Sequence, residues 1–281
     1  MSGRLVLCGT PIGNLEDASL RMMRVLGEAD VIACEDTRRT RKLLSHHGID
    51  APDLVVYNDG NERRKTPDLV RRMSGGQTVA LVSDAGMPGL SDPGYHLVRA
   101  CVEASVPIEV VPGPTAAISA LALSGLPPRR FVFEGFLPRK KGERARRIES
   151  LEDEERTIVF YVSPHRIEEH LGELLGSLGD RPGAIAREIT KLHEEVRRGT
   201  LTELLEGVRI DPPRGEMVVV VGGARGRRGQ NLEPDELAAR ARALMDDGWD
   251  RKEALVQVAR ATGVARRAVF DALVAERKRE S

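Results

Sequence analysis

The sequence predicts an α/β protein, with two α/β domains around an interdomain cleft and a small helical domain at the C-terminus. In the first half, apolar runs of strand length alternate with stretches of helical spacing, which is typical of βαβ units and a mostly parallel sheet. Gly/Pro-rich turns or polar clusters directly follow these runs. Open α/β folds place ligand sites there, at the carboxyl ends of the strands. Beyond residue 233 only helical patterns occur.

The first predicted domain comprises residues 1–125. Its strands are expected at residues 4–8, 31–34, 54–57, 78–82 and 108–111, where short apolar runs end in turn residues. Its helices are expected at residues 19–28, 37–47, 61–73, 93–104 and 114–123. The turn Ser124-Gly-Leu-Pro-Pro128 interrupts the last helix, so we place the domain boundary there.

The second predicted domain comprises residues 126–224. We expect strands at residues 130–133, 157–162, 184–189 and 217–221 and a helix at residues 166–178. These strands are fewer and their connections longer, which favours mixed or antiparallel pairing.

A glycine-rich segment at residues 222–229 has the composition of a linker. It leads to a third predicted domain at residues 231–281, with amphipathic helices at residues 234–245, 251–260 and 265–278. Thr262-Gly-Val separates the last two in the manner of a helix-turn-helix.

Composition excludes several classes of protein. The formal net charge is zero and aromatic residues make up 3% of the 281 residues, so any surface that binds nucleic acid must be local and must depend little on base stacking. We find no signal peptide and no apolar run of membrane-spanning length. Cys8, Cys34 and Cys101 show no CxxC spacing, and we expect buried, reduced thiols in the cytoplasm.

Three turns are candidate ligand contacts. Gly9-Thr-Pro-Ile-Gly-Asn14 is not a dinucleotide loop, because residues 10–12 put bulk where a pyrophosphate needs bare backbone; a wall for a small molecule fits better. Asp84 follows a buried strand, so the turn either lies at the surface or offers its carboxylate to a ligand. Pro112-Gly-Pro-Thr-Ala116 opens a helix, where Thr115 is a cap or free N–H groups bind ligand oxygens.

Two further features are polar clusters. Residues 139–147 contain six basic residues and one acid, and we expect them to lie in a connection. Such a segment is either a solvated surface or a contact to phosphate. His165-Arg166 and Arg187-Glu-Ile-Thr-Lys191 lie just past strands, where both structural and catalytic roles remain open. No metal-ligand spacing appears, so we predict no catalytic metal.

Together these motifs resemble the tetrapyrrole-methylase superfamily over roughly residues 4–222. The segments that carry the resemblance are residues 9–17, 33–38, 81–86, 91–95, 112–116, 133–139, 163–166 and 187–191. Glu-Asp-Thr-Arg and Ser-Pro-His-Arg are typical of the branch that acts on rRNA. The resemblance implies S-adenosylmethionine as cofactor, and 2′-O-ribose methylation of a 16S rRNA cytidine (position 1402 in the family) in the small ribosomal subunit. It also implies a homodimer.

The resemblance further implies a folded cofactor in the cleft between the two α/β domains. The cofactor contacts carried over to this sequence are Ile12, Asp84, Met87, Thr115, Ala116, Val162 and Met217. Two positions depart from the family pattern, since Val162 replaces a common Glu and Met87 a common Thr.

For catalysis we expect Glu188 as the base and Lys191 or Arg166 as contacts to phosphate or to the developing alkoxide. For RNA binding we expect the basic side chains of the connection, Arg139, Lys140, Lys141 and Arg144. Two alternatives stay open. One is a porphyrin-ring C-methylase of the same superfamily, and the other is a nucleic-acid-binding regulator that uses the helix at residues 265–278.

Overall fold

The computed structural model describes residues 3–224, 233–262, 264 and 266–279. The chain forms two compact units, Met1–Gly222 and Gly223–Ser281, called the first and second unit below. Residues 225–229 of the predicted linker lie outside the described residues. Among the helices of the described ranges, none has both the length and the apolar character that crossing a membrane requires.

The first half of the first unit contains a five-stranded sheet in the order β3-β2-β4-β1-β5, and all of its pairs are parallel. Its strands are β1 (Arg4–Cys8), β2 (Val31–Cys34), β3 (Asp53–Val56), β4 (Thr78–Val82) and β5 (Ile108–Val111). The prediction of a parallel βαβ sheet is therefore confirmed.

Helices cover both faces of this sheet. They are α1 (Leu20–Glu28), α2 (Thr37–His46), α3 (Glu62–Ser74) and α4 (Tyr95–Glu103). Because side chains alternate along a strand, Val6 and Cys8 of β1 pack with α1 and α2, whereas Leu5 packs with α3 and α4. Burial on both faces explains why these strands read as continuous apolar runs.

The second half of the first unit contains another five-stranded sheet, in the order β6-β7-β10-β8-β9. Its strands are β6 (Phe131–Phe136), β7 (Thr157–Val162), β8 (Pro182–Arg187), β9 (Glu195–Thr200) and β10 (Met217–Val221). Only β6 and β7 pair in parallel, so the predicted mixed pairing is confirmed. The expectation of fewer strands is wrong, because edge strand β9 (Glu-Val-Arg-Arg-Gly-Thr) has almost no apolar pattern to reveal it.

Four helices pack on this second sheet: α5 (Ala116–Ser124), α6 (Lys141–Glu149), α7 (Ile167–Leu178) and α8 (Leu201–Ile210). Helices α6, α7 and α8 cover one face. Helix α5 covers the other face together with Ile12 from the loop after β1. It precedes the predicted boundary at residue 125, yet its Ala120 and Leu121 pack among residues of the second sheet. The chain thus joins its two sheets through α5 and the loop after β1.

Helices α6 and α8 are not among the predicted elements. The basic segment around Arg144 is expected to be a connection, but it forms a helix in which Arg144 and Ile148 lie one turn apart and are both buried. Helix α8 carries a capping box between Thr200 and Glu203, a signal in the sequence that would have predicted where this helix begins.

In the part of the second unit that the structure describes there are three helices, α9 (Pro234–Asp246), α10 (Arg251–Thr262) and α11 (Arg266–Arg279), as predicted. They share a core that includes Leu237, Leu255, Val269 and Leu273. Val269 and Leu273 of α11, the helix that a nucleic-acid-binding regulator would use, thus pack within the unit itself. Residue 263 of the predicted helix-turn-helix turn lies outside the described residues.

Candidate active site

The first unit contains a cavity at the carboxyl ends of the strands, which we call the apolar cavity. Its volume is about 280 Å³, near the lower end of the range for small-molecule sites. It is lined by residues 12, 85–87, 90–92, 115–116, 136, 161–164, 186, 189 and 216–218. These residues come from both sheets, because the loops after β1 and β4 and the start of α5 meet the ends of β6, β7, β8 and β10.

Backbone contacts hold the loops of the first sheet together at this cavity. The Thr10 N–H donates to the Gly86 carbonyl at 2.9 Å, and the Gly86 N–H donates back to Thr10 at 3.1 Å. A Cβ at Gly9 would lie 2.6 Å from both the Gly113 nitrogen and the Met87 sulfur. Glycine at position 9 therefore allows the loops after β1, β4 and β5 to approach closely.

The second sheet contributes paired strand ends and aromatic rings to the apolar cavity. Met217 at the start of β10 pairs with Val162 at the end of β7 and with Arg187 at the end of β8, which brings three distant segments into one row. The ring of Tyr161 lies 5.3 Å from that of Phe136, which is 62% exposed at the mouth of the cavity. Such a ring is a suitable platform for a planar ligand group.

The charged side chains among the residues that line the apolar cavity are acidic. Burial, and then the charge of Glu35, raises the pKa of Asp92 from 3.8 to about 7. Glu216 also lines the cavity. Among the described residues that line it, none is Lys, Arg or His. The cavity therefore favours a ligand with apolar surface and positive charge, and disfavours a phosphate.

A second cavity, which we call the cationic cleft, adjoins the first. It is lined by residues 10–13, 15, 39–40, 42–43, 82–85, 191 and 216 and has a volume of about 350 Å³. Three of its lining side chains are cations: Arg39 and Lys42 from α2, and Lys191 from the loop after β8. The two cavities share Ile12, Ala85 and Glu216.

Comparison with known proteins assigns the architecture. Residues 4–205 match the family model described as Tetrapyrrole (Corrin/Porphyrin) Methylases. The chain belongs to the tetrapyrrole methylase family.

Three individual relatives place the chain within this family of methylases. It is 42% identical to "Ribosomal RNA small subunit methyltransferase I" of Halalkalibacterium halodurans, covering 96% of this chain and 94% of the relative. It is 46% identical over 221 residues to the Thermotoga maritima protein of the same name, covering 79% of this chain and 99% of the relative. Among solved structures, the uroporphyrin-III-C-methyltransferase of Thermus thermophilus is 26% identical, with a TM-score of 0.54, covering 79% of this chain and 94% of that one.

The structure brings together most of the cofactor contacts that the tetrapyrrole methylase resemblance implied. Six of the seven line the apolar cavity: Ile12, Met87, Thr115, Ala116, Val162 and Met217. Asp84 lines the cationic cleft instead. Its carboxylate accepts a hydrogen bond from the Asp36 N–H at 3.2 Å and lies 3.3 Å from Arg39.

The three predicted catalytic residues occupy different places. Glu188 and Lys191 form an ion pair of 3.0 Å, and Lys191 lines the cationic cleft. Partial burial alone would raise the pKa of Glu188, but hydrogen bonds from the Glu216 N–H and from Lys191 outweigh it, so the pKa is lowered. A lowered pKa makes Glu188 a weak base and a good partner for the Lys191 ammonium. Arg166 precedes α7 and lines neither cavity.

The predicted RNA-binding residues separate into two groups. Arg139, Lys140 and Lys141 are exposed. Arg144 is 2% exposed, and its guanidinium donates to Glu173 at 2.6 Å and to Glu169 at 2.5 Å. These contacts disfavour the predicted RNA-binding role of Arg144, because an RNA phosphate would have to displace two carboxylates from a buried guanidinium.

Sequence reasoning missed several residues of the site, among them Phe136, Tyr161, Asp92 and Glu216. Asp92 lies in the segment at residues 91–95 that carries the resemblance, but the sequence does not reveal that its carboxyl is partly buried and has a raised pKa. Tyr161 and Phe136 stand at the ends of two predicted strands, a position that was a usable signal.

Proposed function

We propose that this protein uses S-adenosylmethionine to methylate the ribose 2′-hydroxyl of a cytidine in 16S rRNA, the one at position 1402 in the family. The observation that carries the proposal is 42% identity over 96% of the chain to a relative named for small-subunit rRNA methylation. The 26% identity to a uroporphyrin-III-C-methyltransferase is lower, which favours rRNA over a porphyrin ring as acceptor. We also propose that the protein works in the cytoplasm as a homodimer.

The apolar cavity suits this cofactor. S-adenosylmethionine carries positive charge on its sulfonium and ammonium groups, and the acidic groups of the cavity, Asp92 and Glu216, complement that charge. Ile12 and Met217 provide apolar walls for the adenosyl and methionyl parts. The N–H groups at the start of α5, beside Thr115, suit a carboxylate or a hydroxyl oxygen.

When bound, the cofactor supplies a methyl group that already carries a good leaving group, so positioning of the ribose hydroxyl is the main task of the protein. Lys191 is suited to this task. Its ammonium lies 3.0 Å from Glu188 and 3.1 Å from Glu216, which itself lines both cavities. A cation held there stabilises negative charge that develops on a ribose oxygen.

Glu188 was predicted to be the base, and its role can be tested separately. As a base it would have to lose its hydrogen bond to Lys191 before accepting a proton. We therefore propose that Glu188 positions Lys191. In single-turnover assays, Glu188→Gln is expected to retain most of the rate, since the amide oxygen still accepts from Lys191. A rate that falls to the uncatalysed level would instead support the base.

The second unit is proposed to dock onto rRNA, with a packing cap as the alternative. The Thermotoga maritima relative matches over 221 residues, about the length of the first unit, and 99% of that relative is covered. A protein with this name therefore exists without a comparable extra unit. Deletion of residues 231–281 is expected to weaken binding to the subunit and leave cofactor binding intact. Unchanged subunit affinity would rule out docking.

The test of the function is to incubate the purified protein with methyl-labelled cofactor and small ribosomal subunits, and to map the labelled nucleotide. We expect one label on the 2′-oxygen of a 16S rRNA cytidine. A parallel reaction with uroporphyrinogen III tests the porphyrin alternative. Label on the porphyrin and none on rRNA would overturn the proposal.

A further inference from the structure

The cationic cleft carries positively charged side chains, which a cationic cofactor does not need. Arg39 and Lys42 belong to α2 and Lys191 belongs to the loop after β8, so cations from two separate segments line the cleft together with residues 10–13 of the loop after β1. Its acidic lining groups are Asp84 and Glu216. Asp84 lies 3.3 Å from Arg39 and Glu216 lies 3.1 Å from Lys191, so both acids lie beside a cation. Lys42 contributes positive charge as well.

The structure holds Arg39 at the cleft through a chain of contacts. The Asp84 N–H donates to Glu35 at 3.0 Å, and Asp84 in turn accepts from the Asp36 N–H at the start of α2. These bonds tie the loop after β2 to the loop after β4. Asp84 is therefore fixed, and it orients an Arg39 side chain that is 66% exposed.

Contacts with the loop after β1 hold Lys191 at the cleft. A Cβ at Gly13 would lie 2.5 Å from the Lys191 Cγ and 2.8 Å from the Thr190 hydroxyl oxygen, so the lysine stem lies directly on Gly13. The Asn14 N–H donates to the same Thr190 hydroxyl at 3.0 Å. These contacts place the ammonium of Lys191 next to Glu216, which belongs to the walls of both cavities.

We propose that the cationic cleft binds the sugar–phosphate of the target nucleotide, with its backbone phosphates on Arg39 and Lys42 and its ribose over Gly13 beside Lys191. This inference rests on the proposed function and names the substrate subsite of that activity. The wall shared with the apolar cavity, Ile12 and Ala85, is where the ribose hydroxyl approaches the methyl group.

The residues that line the cleft also indicate that it does not recognise the base of the nucleotide. Among the described residues that line it, none is aromatic, so it offers no ring for base stacking. Phosphate contacts position a nucleic acid and carry no sequence information. The cleft therefore holds the nucleotide by its backbone, and selection of the cytidine depends on contacts elsewhere.

The experiment compares Arg39→Ala and Lys42→Ala with Arg41→Ala, a matched control on the same helix. Arg41 is exposed and does not line the cleft. The measurements are KM for small subunits, affinity for a short RNA with the target sequence, and affinity for S-adenosylmethionine. For each cleft variant, we expect KM and the RNA dissociation constant to rise about tenfold. We also expect the salt dependence of log K to flatten by about one unit, with cofactor affinity unchanged.

Wild-type affinity for subunits and RNA in Arg39→Ala and Lys42→Ala would overturn the proposal, and so would equal losses in Arg41→Ala. The RNA-binding arm separates this inference from the proposed function. If the wild-type protein failed to methylate subunits, the function would fall, and the effect of the cleft variants on RNA binding would still decide the role of the cleft. Loss of cofactor binding in the same variants would assign the cleft to the cofactor and also contradict the inference.

Discussion

The apolar cavity and the cationic cleft share a wall but differ in charge and in the way they are built. The apolar cavity draws on both sheets and has acids as its charged lining groups, whereas the cleft belongs mainly to the first sheet and carries Arg39, Lys42 and Lys191. A methyltransferase must hold a cationic donor and, for RNA, a polyanionic acceptor. The contrast shows how one chain provides for these two charges in adjoining cavities that share Ile12, Ala85 and Glu216.

The largest expected effect is on Lys191, at the junction of the two cavities. Lys191→Met removes the charge and keeps most of the stem. We expect kcat for subunit methylation to fall about 100-fold, as when one stabilising group at a developing oxyanion is lost. Cofactor affinity, measured by calorimetry, is expected to stay within twofold. A kcat near the wild-type value would show that the ammonium of Lys191 does not stabilise the reacting ribose oxygen.

Gly9 and Gly13, both in the loop after β1, are expected to respond differently to an added methyl group. Substitution of Gly9 should mainly affect stability, and substitution of Gly13 should mainly affect kcat. At Gly9, the new Cβ would meet the Gly113 backbone at 2.6 Å, so Gly9→Ala should lower the free energy of unfolding by about 1–3 kcal/mol. At Gly13 it would meet the Lys191 Cγ at 2.5 Å and the Thr190 hydroxyl oxygen at 2.8 Å, which are side-chain and not backbone atoms, so Gly13→Ala should cost less stability than Gly9→Ala while displacing Lys191 and lowering kcat.

Denaturant unfolding and steady-state kinetics of both variants test this. Gly176→Ala in α7 is the control, because nothing lies within 4 Å of its Cβ and the change should stabilise the helix by about 0.5–1 kcal/mol. A Gly13→Ala protein with normal kcat would contradict the contact between Gly13 and Lys191.

A smaller effect is expected from filling the apolar cavity. Ala116→Leu at the first turn of α5 places three extra carbons against the proposed cofactor site. We expect the dissociation constant for S-adenosylmethionine to rise about tenfold, on the scale of 1–3 kcal/mol for overpacking, and RNA affinity to stay the same. Ala145→Leu, on an exposed position of α6, is the matched control. Equal cofactor affinity in both variants would place the ligand elsewhere.

The smallest expected effect is on pH dependence. Asp92 has a pKa raised to about 7, so its carboxylate ionises as the pH rises from 6 to 8. A cationic cofactor should therefore bind a few-fold more tightly at pH 8 than at pH 6. Asp92→Asn should remove this dependence, whereas a retained dependence would point to another group. Isothermal titration at several pH values provides the measurement.

The raised pKa of Asp92 also makes the free energy of unfolding depend on pH. Because the folded-state pKa of Asp92 lies above the ordinary value of 3.8, its contribution is fully present below about pH 4 and is lost as the pH rises through about 7. The free energy of unfolding of the wild type, compared with Asp92→Asn, should therefore fall between pH 4 and pH 8. An unchanged difference between the two proteins over this range would mean that the pKa of Asp92 is not raised by the fold.

Much of the fold follows from local pattern. The runs at Val31–Cys34 and Thr78–Val82 are buried on both faces, which leaves a continuous apolar signal that marks a strand directly. The three thiols are free and buried as predicted, and burial raises the pKa of Cys8 to about 12. Edge strand β9 and helix α6 were not predicted, because charged residues dominate their sequences and the packing of a few positions decides their structure.

The sequence by itself determined the alternation of elements, the position of turns at strand ends, and six residues that converge on one cavity. Only the tertiary structure decided the environment of charged groups, because burial and pairing depend on neighbours far away in the chain. Arg144 became a buried partner of Glu169 and Glu173 from α7. Asp84 joined the cationic cleft, and Asp92 gained a high pKa. A charge in a sequence has no fixed chemistry until the fold sets its solvation and its nearest opposite charge.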